Sequence, residues 1–363
     1  MSGRTPCCAC GAAETTPVLD LGEVPAADVF PSGGGPATDP RHPLAMVLCT
    51  ACGLAQIAHD DTAPEQPLGI EPRALVEQAE AAIALAADRG WLAGTTVREF
   101  PSPHGGTWLP MLQERGHVRA TGRAAVVLDS FGIMHEADQR AAWRSRAAAT
   151  DPDGVLLVQF HSLAAIVRHG QWTSLRHGHA AYYSLTALTR LLADVGMSVV
   201  GVETFDLYGG TVLVAARHGD HEPDARTTEV LADETRLGVT DPVAVAALQT
   251  TVDSDVAGLR RWLQDRRDAG LRVHAYGAAS VAVAQFGLAG LDRSLVASVA
   301  DASPAKQGRR MPGTDIAIIS PAELVAASPD LVLLTLPDLL PELEASYPEL
   351  AGRWVVRGDR DSS

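Results

Sequence analysis

The sequence predicts an α/β protein, and three observations lead to this fold class. All five cysteines lie within the first 52 of the 363 residues. The rest of the chain alternates short apolar runs with helical stretches, which is typical of sheets covered by helices. This alternation occurs on both sides of a polar stretch at residues 218–242, which we expect to be a linker. At roughly 100–200 residues per domain the length allows two or three domains, and the pattern favours three: residues 1–60, 61–217 and 218–363.

The N-terminal domain is predicted to bind zinc. The motif Cys-x-x-Cys-Gly occurs twice, at residues 7–11 and 49–53. A Cys-x-x-Cys turn directs two thiolates toward one point, and two such turns complete a closed tetrahedral site that holds structural zinc. Disulfides or a redox-active pair are the alternatives, but disulfides are rare inside cells and a redox pair needs no second copy. Cys8 is expected to be a bystander. The expected ligands are Cys7, Cys10, Cys49 and Cys52.

Two sheets are expected in the remaining chain. A helix rich in alanine is predicted at Glu71–Arg89, and a longer helix at Val243–Ala269. The strands expected in the middle domain are Ala124–Asp129, Gly154–Phe160, Met197–Val202 and Thr211–Ala216. Those expected in the C-terminal domain are Arg272–Gly277, Leu295–Asp301, Ile316–Ile319 and Leu331–Leu336.

Charge and hydropathy exclude several classes of partner. The chain carries 44 acidic and 29 basic residues, for a formal net charge of -15, which repels nucleic acid and anionic lipid. No apolar run approaches the roughly 18 residues of a membrane span, and the first ten residues lack the apolar core of a secretion signal. We therefore expect a cytoplasmic protein with a small-molecule substrate and with no nucleic-acid or membrane partner.

Motifs along the chain resemble one family. They are Leu21-Gly-Glu-Val-Pro25 and Cys52-Gly-Leu-Ala-Gln56, then Ser174–Leu185 and Tyr208-Gly-Gly-Thr211, and finally Ala275-Tyr-Gly-Ala-Ala-Ser280 and Val299–Gly308. In this order they resemble the sugar C-methyltransferases, which methylate a ring carbon of nucleotide-linked keto sugars. The resemblance covers nearly the whole chain. It implies a zinc-binding N-terminal module, a Rossmann-like methyltransferase domain and a C-terminal Rossmann-like α/β domain.

The segment that would bind S-adenosylmethionine (SAM) departs from the family pattern. The resemblance implies a glycine turn after the first strand, Glu-Ile-Gly-Ser-Asn-Asp-Gly, where this chain reads Glu99-Phe-Pro-Ser-Pro-His-Gly105. Pro101 replaces the key glycine and adds bulk where the backbone must approach the cofactor closely. Pro103 and His104 replace Asn and Asp. We expect a degenerate SAM site, an unusual site that still binds SAM being the alternative.

The distance between the first two clear strands supports this expectation. Residues 100–123 separate Glu99 from Ala124, whereas one βαβ unit takes about 30 residues. We therefore expect the middle domain to be truncated by a strand–helix–strand segment, together with the acidic residue that holds the SAM ribose in the family. Because of this loss we consider SAM unlikely as a cofactor, and the structural zinc of the cysteine motifs is the cofactor we expect.

The segment that is catalytic in the family is altered as well. The family sequence Tyr-His-Glu-His aligns with residues 176–179, so that Arg176 and Gly178 replace Tyr and Glu, while His177 and His179 are retained. His161 falls where relatives have a site histidine. These three histidines are the predicted proton-transfer groups, and Arg176 is predicted to hold a phosphate, carboxylate or enolate oxygen. The tyrosines predicted to contact the substrate are Tyr183, Tyr208 and Tyr276.

The sequence thus favours a SAM-independent enzyme derived from a sugar C-methyltransferase. It would use histidine acid/base chemistry, of the isomerase, lyase or cyclase type, on a small oxygenated metabolite in specialised-metabolite biosynthesis. One alternative is a SAM-dependent C-methyltransferase that acts on a nucleotide-linked keto sugar. The other is a non-catalytic binding protein on the same scaffold.

Overall fold

The N-terminal module is an antiparallel sheet. The computed structural model describes residues 5–33, 35, 39–62, 71–102 and 106–356, so the predictions on Pro103 and His104 lie outside the described residues. The first three strands are β1 (Thr15–Pro25), β2 (Arg41–Cys49) and β3 (Ala55–Ile57), paired in the order β1-β2-β3. In β1 the valines and leucines are buried and Asp20 and Glu23 are exposed, whereas the last four residues of β2, Met46–Cys49, are all buried.

The middle domain contains the next twelve elements. They are α1 (Arg73–Asp88), β4 (Thr96–Phe100), α2 (Leu109–Glu114), β5 (Val118–Arg119), β6 (Ala124–Ser130), α3 (Gln139–Ala149), β7 (Thr150–His161), α4 (Leu163–His169), β8 (Ala181–Tyr182), α5 (Leu185–Ala193), β9 (Met197–Phe205) and β10 (Thr211–His218). Short 3₁₀ helices lie at residues 133–135, 172–174 and 207–209. The strand β8 leaves this domain and pairs with β3, so the N-terminal sheet is completed by the middle domain.

The middle sheet has the strand order β5-β4-β6-β7-β10-β9. The first four strands are parallel, and β10 runs antiparallel to both of its neighbours. In the described part of residues 96–130, only α2 and the two-residue β5 separate β4 from β6. A second strand is therefore present as β5. The expected shortening of this region lies after β5, where β6 follows with no further helix or strand between them.

The polar stretch 218–242 was expected to be a linker, but most of it forms the helix α6 (Ala225–Leu237). The helix packs against α5 and β9 of the middle domain. Its Glu234 is 1% exposed and accepts hydrogen bonds from the backbone N–H groups of Leu185 and Thr186 at the start of α5, each at 2.7 Å. The carboxylate satisfies donors that a helix leaves free at its N-terminus, which explains why a mostly polar helix is held there.

The C-terminal domain is a five-stranded parallel sheet. Its elements are α7 (Pro242–Asp268), β11 (Val273–Tyr276), α8 (Ser280–Leu288), β12 (Val299–Ala300), β13 (Ile318–Ile319), α9 (Pro321–Ala327), β14 (Leu331–Leu334), α10 (Leu340–Ser346) and β15 (Trp354–Val356). The strand order is β13-β12-β11-β14-β15. All strands are parallel, and the chain builds the sheet outward in one direction from β11 to β13 and in the other from β14 to β15. Such a change of direction opens a crevice at the carboxyl ends of the strands.

Three connections hold the domains around a common cleft. The long helix α7 packs against β1 and against α4. Arg310 of the C-terminal domain donates hydrogen bonds to the carboxylate of Asp39 in the N-terminal module. The backbone N–H of Tyr208 donates to Asp338 at 3.2 Å, which joins the middle and C-terminal domains.

Among the described residues, no helix has both the length and the apolar character needed to cross a membrane.

Candidate functional site

Four cysteines of the N-terminal module converge on one point. The Sγ atoms of Cys7, Cys10, Cys49 and Cys52 all lie within 4.8 Å of one another. Cys7 lies 3.6 Å from Cys52, and Cys10 lies 3.6 Å from Cys49. A zinc ion bound at about 2.3 Å by four thiolates would have sulfur atoms roughly 3.8 Å apart, so these side chains fit zinc.

The local backbone explains why the two turns converge. Each motif ends on a glycine with a left-handed backbone, Gly11 at φ 76° and Gly53 at φ 81°, and each of these glycines donates its N–H to the carbonyl of the first cysteine. Cys8 lies outside the set of four, and burial raises the pKa of its thiol to about 12. Arg140 of α3 donates to the carbonyls of Ala9 and Cys10. The cluster therefore fastens the N-terminal module to the middle domain.

The cleft between the middle and C-terminal domains encloses about 1290 Å³. This exceeds the roughly 300–1,000 Å³ of an ordinary small-molecule site, so the cleft has room for a large ligand or for two molecules. The carboxyl ends of parallel strands from the six-stranded and the five-stranded sheet open into it, and the N-terminal module adds part of the wall. The residues that line the cleft include Phe30, Glu99, His161, Tyr276, Asp301 and Thr335.

Arg176 and His179, two residues predicted from the sequence, lie together in the cleft. The guanidinium donates to Nε2 of His179 from Nε at 2.9 Å and from Nη2 at 2.8 Å. Arginine carries only donors, so Nε2 must hold the lone pair of the ring. In this arrangement Arg176 already engages the basic nitrogen that would remove a proton from a substrate.

His135 is a cleft residue that the sequence analysis missed. Its ring lies 4.6 Å from that of His179, and its Nδ1 donates to the carbonyl of Gly178 at 2.7 Å. Burial, assisted by the charge of Arg176, lowers the pKa of His135 to about 4. The only sequence signal was its position a few residues after the apolar run that became β6.

His161 and Tyr208 also line the cleft. Nε2 of His161 bonds with Oε1 of Gln171 at 2.9 Å, and burial lowers the pKa of His161 to about 4. Tyr208 has a left-handed backbone at φ 56°, and its ring packs edge-on at 6.0 Å against Phe131, which is left-handed as well at φ 60°. Left-handed backbone in a residue other than glycine costs on the order of 1–3 kcal/mol, so both residues are held in place by their surroundings.

Two predicted site residues lie outside the cleft. His177 is buried against the N-terminal module and donates from Nε2 to the carbonyl of Pro43 at 3.2 Å. Tyr183 is fully buried, with its ring between Trp143 and Phe160 at 5.8 and 5.5 Å. The structure therefore removes His177 and Tyr183 from the residues that could contact a substrate in this cleft. The third predicted tyrosine, Tyr276, does line the cleft, and burial raises its pKa.

The turn after β4 fits SAM only in part. Glu99, the last residue but one of β4, stands where the family pattern has glutamate, but its carboxylate accepts hydrogen bonds from the hydroxyl of Thr107 and from the N–H of Trp108 in the following loop. The carbonyl of Pro101 is pressed against Gly132, where a Cβ would lie 2.7 Å from the oxygen. The strand β5 ends at Arg119, followed by Ala120, and provides no carboxylate for a ribose.

A different carboxylate reaches this turn. A Cβ added to Gly106 would lie 2.2 Å from Oε1 of Glu71, so the carboxylate packs directly against the turn backbone. Glu71 lines the cleft, and partial burial raises its pKa. Sequence reasoning placed Glu71 only at the start of a predicted helix, where no motif links it to this turn.

Comparisons with known proteins agree with the motifs. Residues 7–65 match a family model described as "Putative zinc binding domain", and residues 206–357 match the "C-methyltransferase C-terminal domain". The C-methyltransferase NovU of Streptomyces niveus is 28% identical over 240 residues, which are 65% of this chain and 57% of that protein. The chain resembles the sugar C-methyltransferases. The resemblance predicted from the motifs is thereby confirmed, over a little more than half the length of this relative.

Two solved structures with limited similarity to the chain are those of methyltransferases. Magnesium protoporphyrin IX methyltransferase from Synechocystis with bound SAH (S-adenosylhomocysteine) is 16% identical and has a TM-score of 0.31, covering 40% of this chain and 84% of that one. The CcbJ methyltransferase from Streptomyces caelestis is 14% identical with a TM-score of 0.29, covering 43% and 100%. The α/β fold of the chain is described by its own sheets, a mixed one of six strands and a parallel one of five, beside the antiparallel N-terminal sheet.

Proposed function

We propose that this chain is a C-methyltransferase that acts on a nucleotide-linked keto sugar bound in the cleft. The observation that carries the proposal is the cleft itself, which opens at the carboxyl ends of parallel strands in two sheets and has room for two molecules. Similarity to NovU supports the reaction class. The comparisons thus favour this alternative over the SAM-independent enzyme that the sequence analysis preferred.

The residues around the cleft would prepare the sugar for carbon–carbon bond formation. A neutral histidine removes the proton beside the ketone, and His161 suits this role since burial keeps its ring neutral near pH 7. Arg176 lies near the same ring and would stabilise the enolate oxygen with its permanent charge. SAM, when bound, supplies the methyl group that the enolate carbon takes.

Glu71 would replace the missing ribose acid. Its carboxylate lies against Gly106 in the turn after β4, at the wall of the cleft. A carboxylate that accepts hydrogen bonds from ribose hydroxyls contributes about 1.5–3 kcal/mol. This assigns to Glu71 a contact that the family pattern places at the end of the second strand.

Isothermal titration with SAM and SAH tests the proposal. We expect the wild-type chain to bind SAH in the micromolar range and the Glu71→Gln variant to bind it about 10-fold more weakly. Glu80→Gln is the matched control, since Glu80 is exposed on α1 and should leave the affinity unchanged. If wild-type protein binds neither SAM nor SAH, methyl transfer by this chain is refuted.

A SAM-independent enzyme is the second candidate. It is favoured by one observation, that β5 ends without a carboxylate while Pro101 occupies the glycine turn. Such an enzyme would still remove and return the proton beside the ketone. Incubation of a nucleoside diphosphate-linked keto hexose in D₂O without SAM should then introduce deuterium at that carbon, as followed by NMR. Exchange that is lost in His161→Gln, together with failure to bind SAM, would establish this candidate. Absence of both exchange and SAM binding would leave a binding protein.

A further inference from the structure

Gln171 connects His161 to the Tyr208 turn. It follows Gly170, whose left-handed backbone at φ 64° ends α4, and its own N–H donates to the carbonyl of Ile166 at 2.9 Å. The next residue, Trp172, is 1% exposed and donates its indole N–H to Asp255 of α7 at 3.0 Å. Gln171 is therefore held by its backbone and by its buried neighbour, at a fixed place beside the cleft.

The amide of Gln171 has only one consistent orientation. Its Nε2 donates to the carbonyl of Tyr208 at 3.0 Å, and a carbonyl oxygen can only accept. The oxygen Oε1 must then face His161, at 2.9 Å from Nε2 of the ring. Because Oε1 can only accept, Nε2 of His161 carries the proton, and Nδ1 holds the lone pair of the neutral ring.

The neighbouring backbone is shaped to admit this side chain. A Cβ on Gly209 would lie 2.1 Å from Nε2 of Gln171, so glycine is required for the amide to reach the turn. The strand pairing places Thr211 opposite His161, and Ser162 donates its N–H to the carbonyl of Gly210 at 3.0 Å. Gly209 thus leaves room for the amide of Gln171, and Gly210 and Thr211 hold the turn against the end of the strand that carries His161.

We infer that Gln171 is a positioning residue, which holds His161 as the Nε2–H tautomer and so makes Nδ1 the nitrogen that accepts a proton from substrate. The inference rests on the proposed function for the role of His161 as a base, but the tautomer itself is a property of the free protein. Other groups that act on the ring are the charges of Arg176 and His169 and the carbonyl of Tyr208. The carbonyl of Tyr208 is a backbone acceptor, whereas Gln171 provides the acceptor side chain for Nε2.

NMR of protein labelled with ¹⁵N-histidine tests the inference without any substrate. Long-range ¹H–¹⁵N correlations distinguish protonated from unprotonated ring nitrogens, and the His161 signals are those absent from His161→Gln, or from His161→Asn if the first variant does not fold. We expect a single Nε2–H form in wild type. In Gln171→Leu, which removes the acceptor, we expect this single form to be lost. Gln113→Leu, at an exposed site on α2, should leave the His161 signals unchanged.

The conservative variant Gln171→Glu separates positioning from simple support of the fold. Glutamate keeps the acceptor, so the Nε2–H form should persist, and its negative charge should raise the pKa of His161 from about 4 toward the ordinary value. An Nδ1–H form in wild type, or an unchanged tautomer in folded Gln171→Leu, overturns the inference. Failure of SAM binding alone would overturn the proposed methyl transfer and leave the tautomer result standing.

Discussion

Replacing Arg146 by methionine is expected to destabilise the protein strongly, because this side chain balances a buried charge. Arg146 is 3% exposed, and Asp129 at the end of β6 is fully buried. The guanidinium donates to Asp129 from Nε at 2.9 Å and from Nη2 at 2.8 Å, and Nη2 also lies 2.8 Å from Glu136. It covers the ring of Phe100 at 4.2 Å as well. Arg146 thus joins the loops that follow β4 and β6, both of which line the cleft.

The size of the expected loss of stability follows from the carboxylate that methionine would leave without a charged partner. Methionine preserves much of the aliphatic volume but leaves the carboxylate of Asp129 buried without its charged partner, and breaking a buried pair in this way costs about 3–5 kcal/mol. Burial already raises the pKa of Asp129, and Arg146 is the main group that opposes this. Without Arg146 the carboxyl should protonate more readily, which limits the loss. We therefore expect a decrease of about 3 kcal/mol in the free energy of unfolding.

Urea unfolding at constant zinc concentration measures this decrease. Arg144→Met on the same helix is the matched control, because Arg144 is exposed and should change stability by less than about 0.5 kcal/mol. The double variant Asp129→Asn with Arg146→Met should lose less than the sum of the two single variants, since it leaves no buried charge. A loss below about 1 kcal/mol in Arg146→Met, or strict additivity in the double variant, would refute the reasoning.

Two further predictions concern the zinc cluster and the buried histidines. Cys49→Ser should lower both the zinc content and the melting temperature, whereas Cys8→Ser should change neither; equal zinc loss in both variants would contradict the four-cysteine assignment. His135 and His161 have folded-state pKa values of about 4, below the ordinary value near 6.5, so the unfolded chain binds their protons first. Stability should therefore fall as the pH is lowered from about 6.5 toward 4, and His135→Gln should flatten this dependence. Identical pH profiles for variant and wild type would count against a buried neutral His135.

Features set by the spacing of residues close together in the chain could be predicted from the sequence, whereas contacts made only by tertiary folding could not. The cysteine pairs could be assigned because each motif determines its own turn, and α7 was predicted within one residue at each end. Tyr183 was assigned wrongly because adjacent tyrosines point to opposite sides: Tyr182 lines the cleft, whereas Tyr183 enters a core formed with Trp143. His135 was missed because it meets His179 only through tertiary folding, 44 positions away along the chain.

The distribution of backbone strain supports a working cleft over an inherited scaffold. Among the described residues, three that are not glycine have left-handed backbones: Phe131, Tyr208 and Ser328. The first two line the cleft and contact each other. Glycine at either position would remove strain of on the order of 1 kcal/mol or more. A scaffold that needed only its fold would gain stability from that change, whereas a site that needs two aromatic rings in the cleft has a reason to keep them. The strain at Phe131 and Tyr208 is therefore better explained by a ligand that uses their side chains.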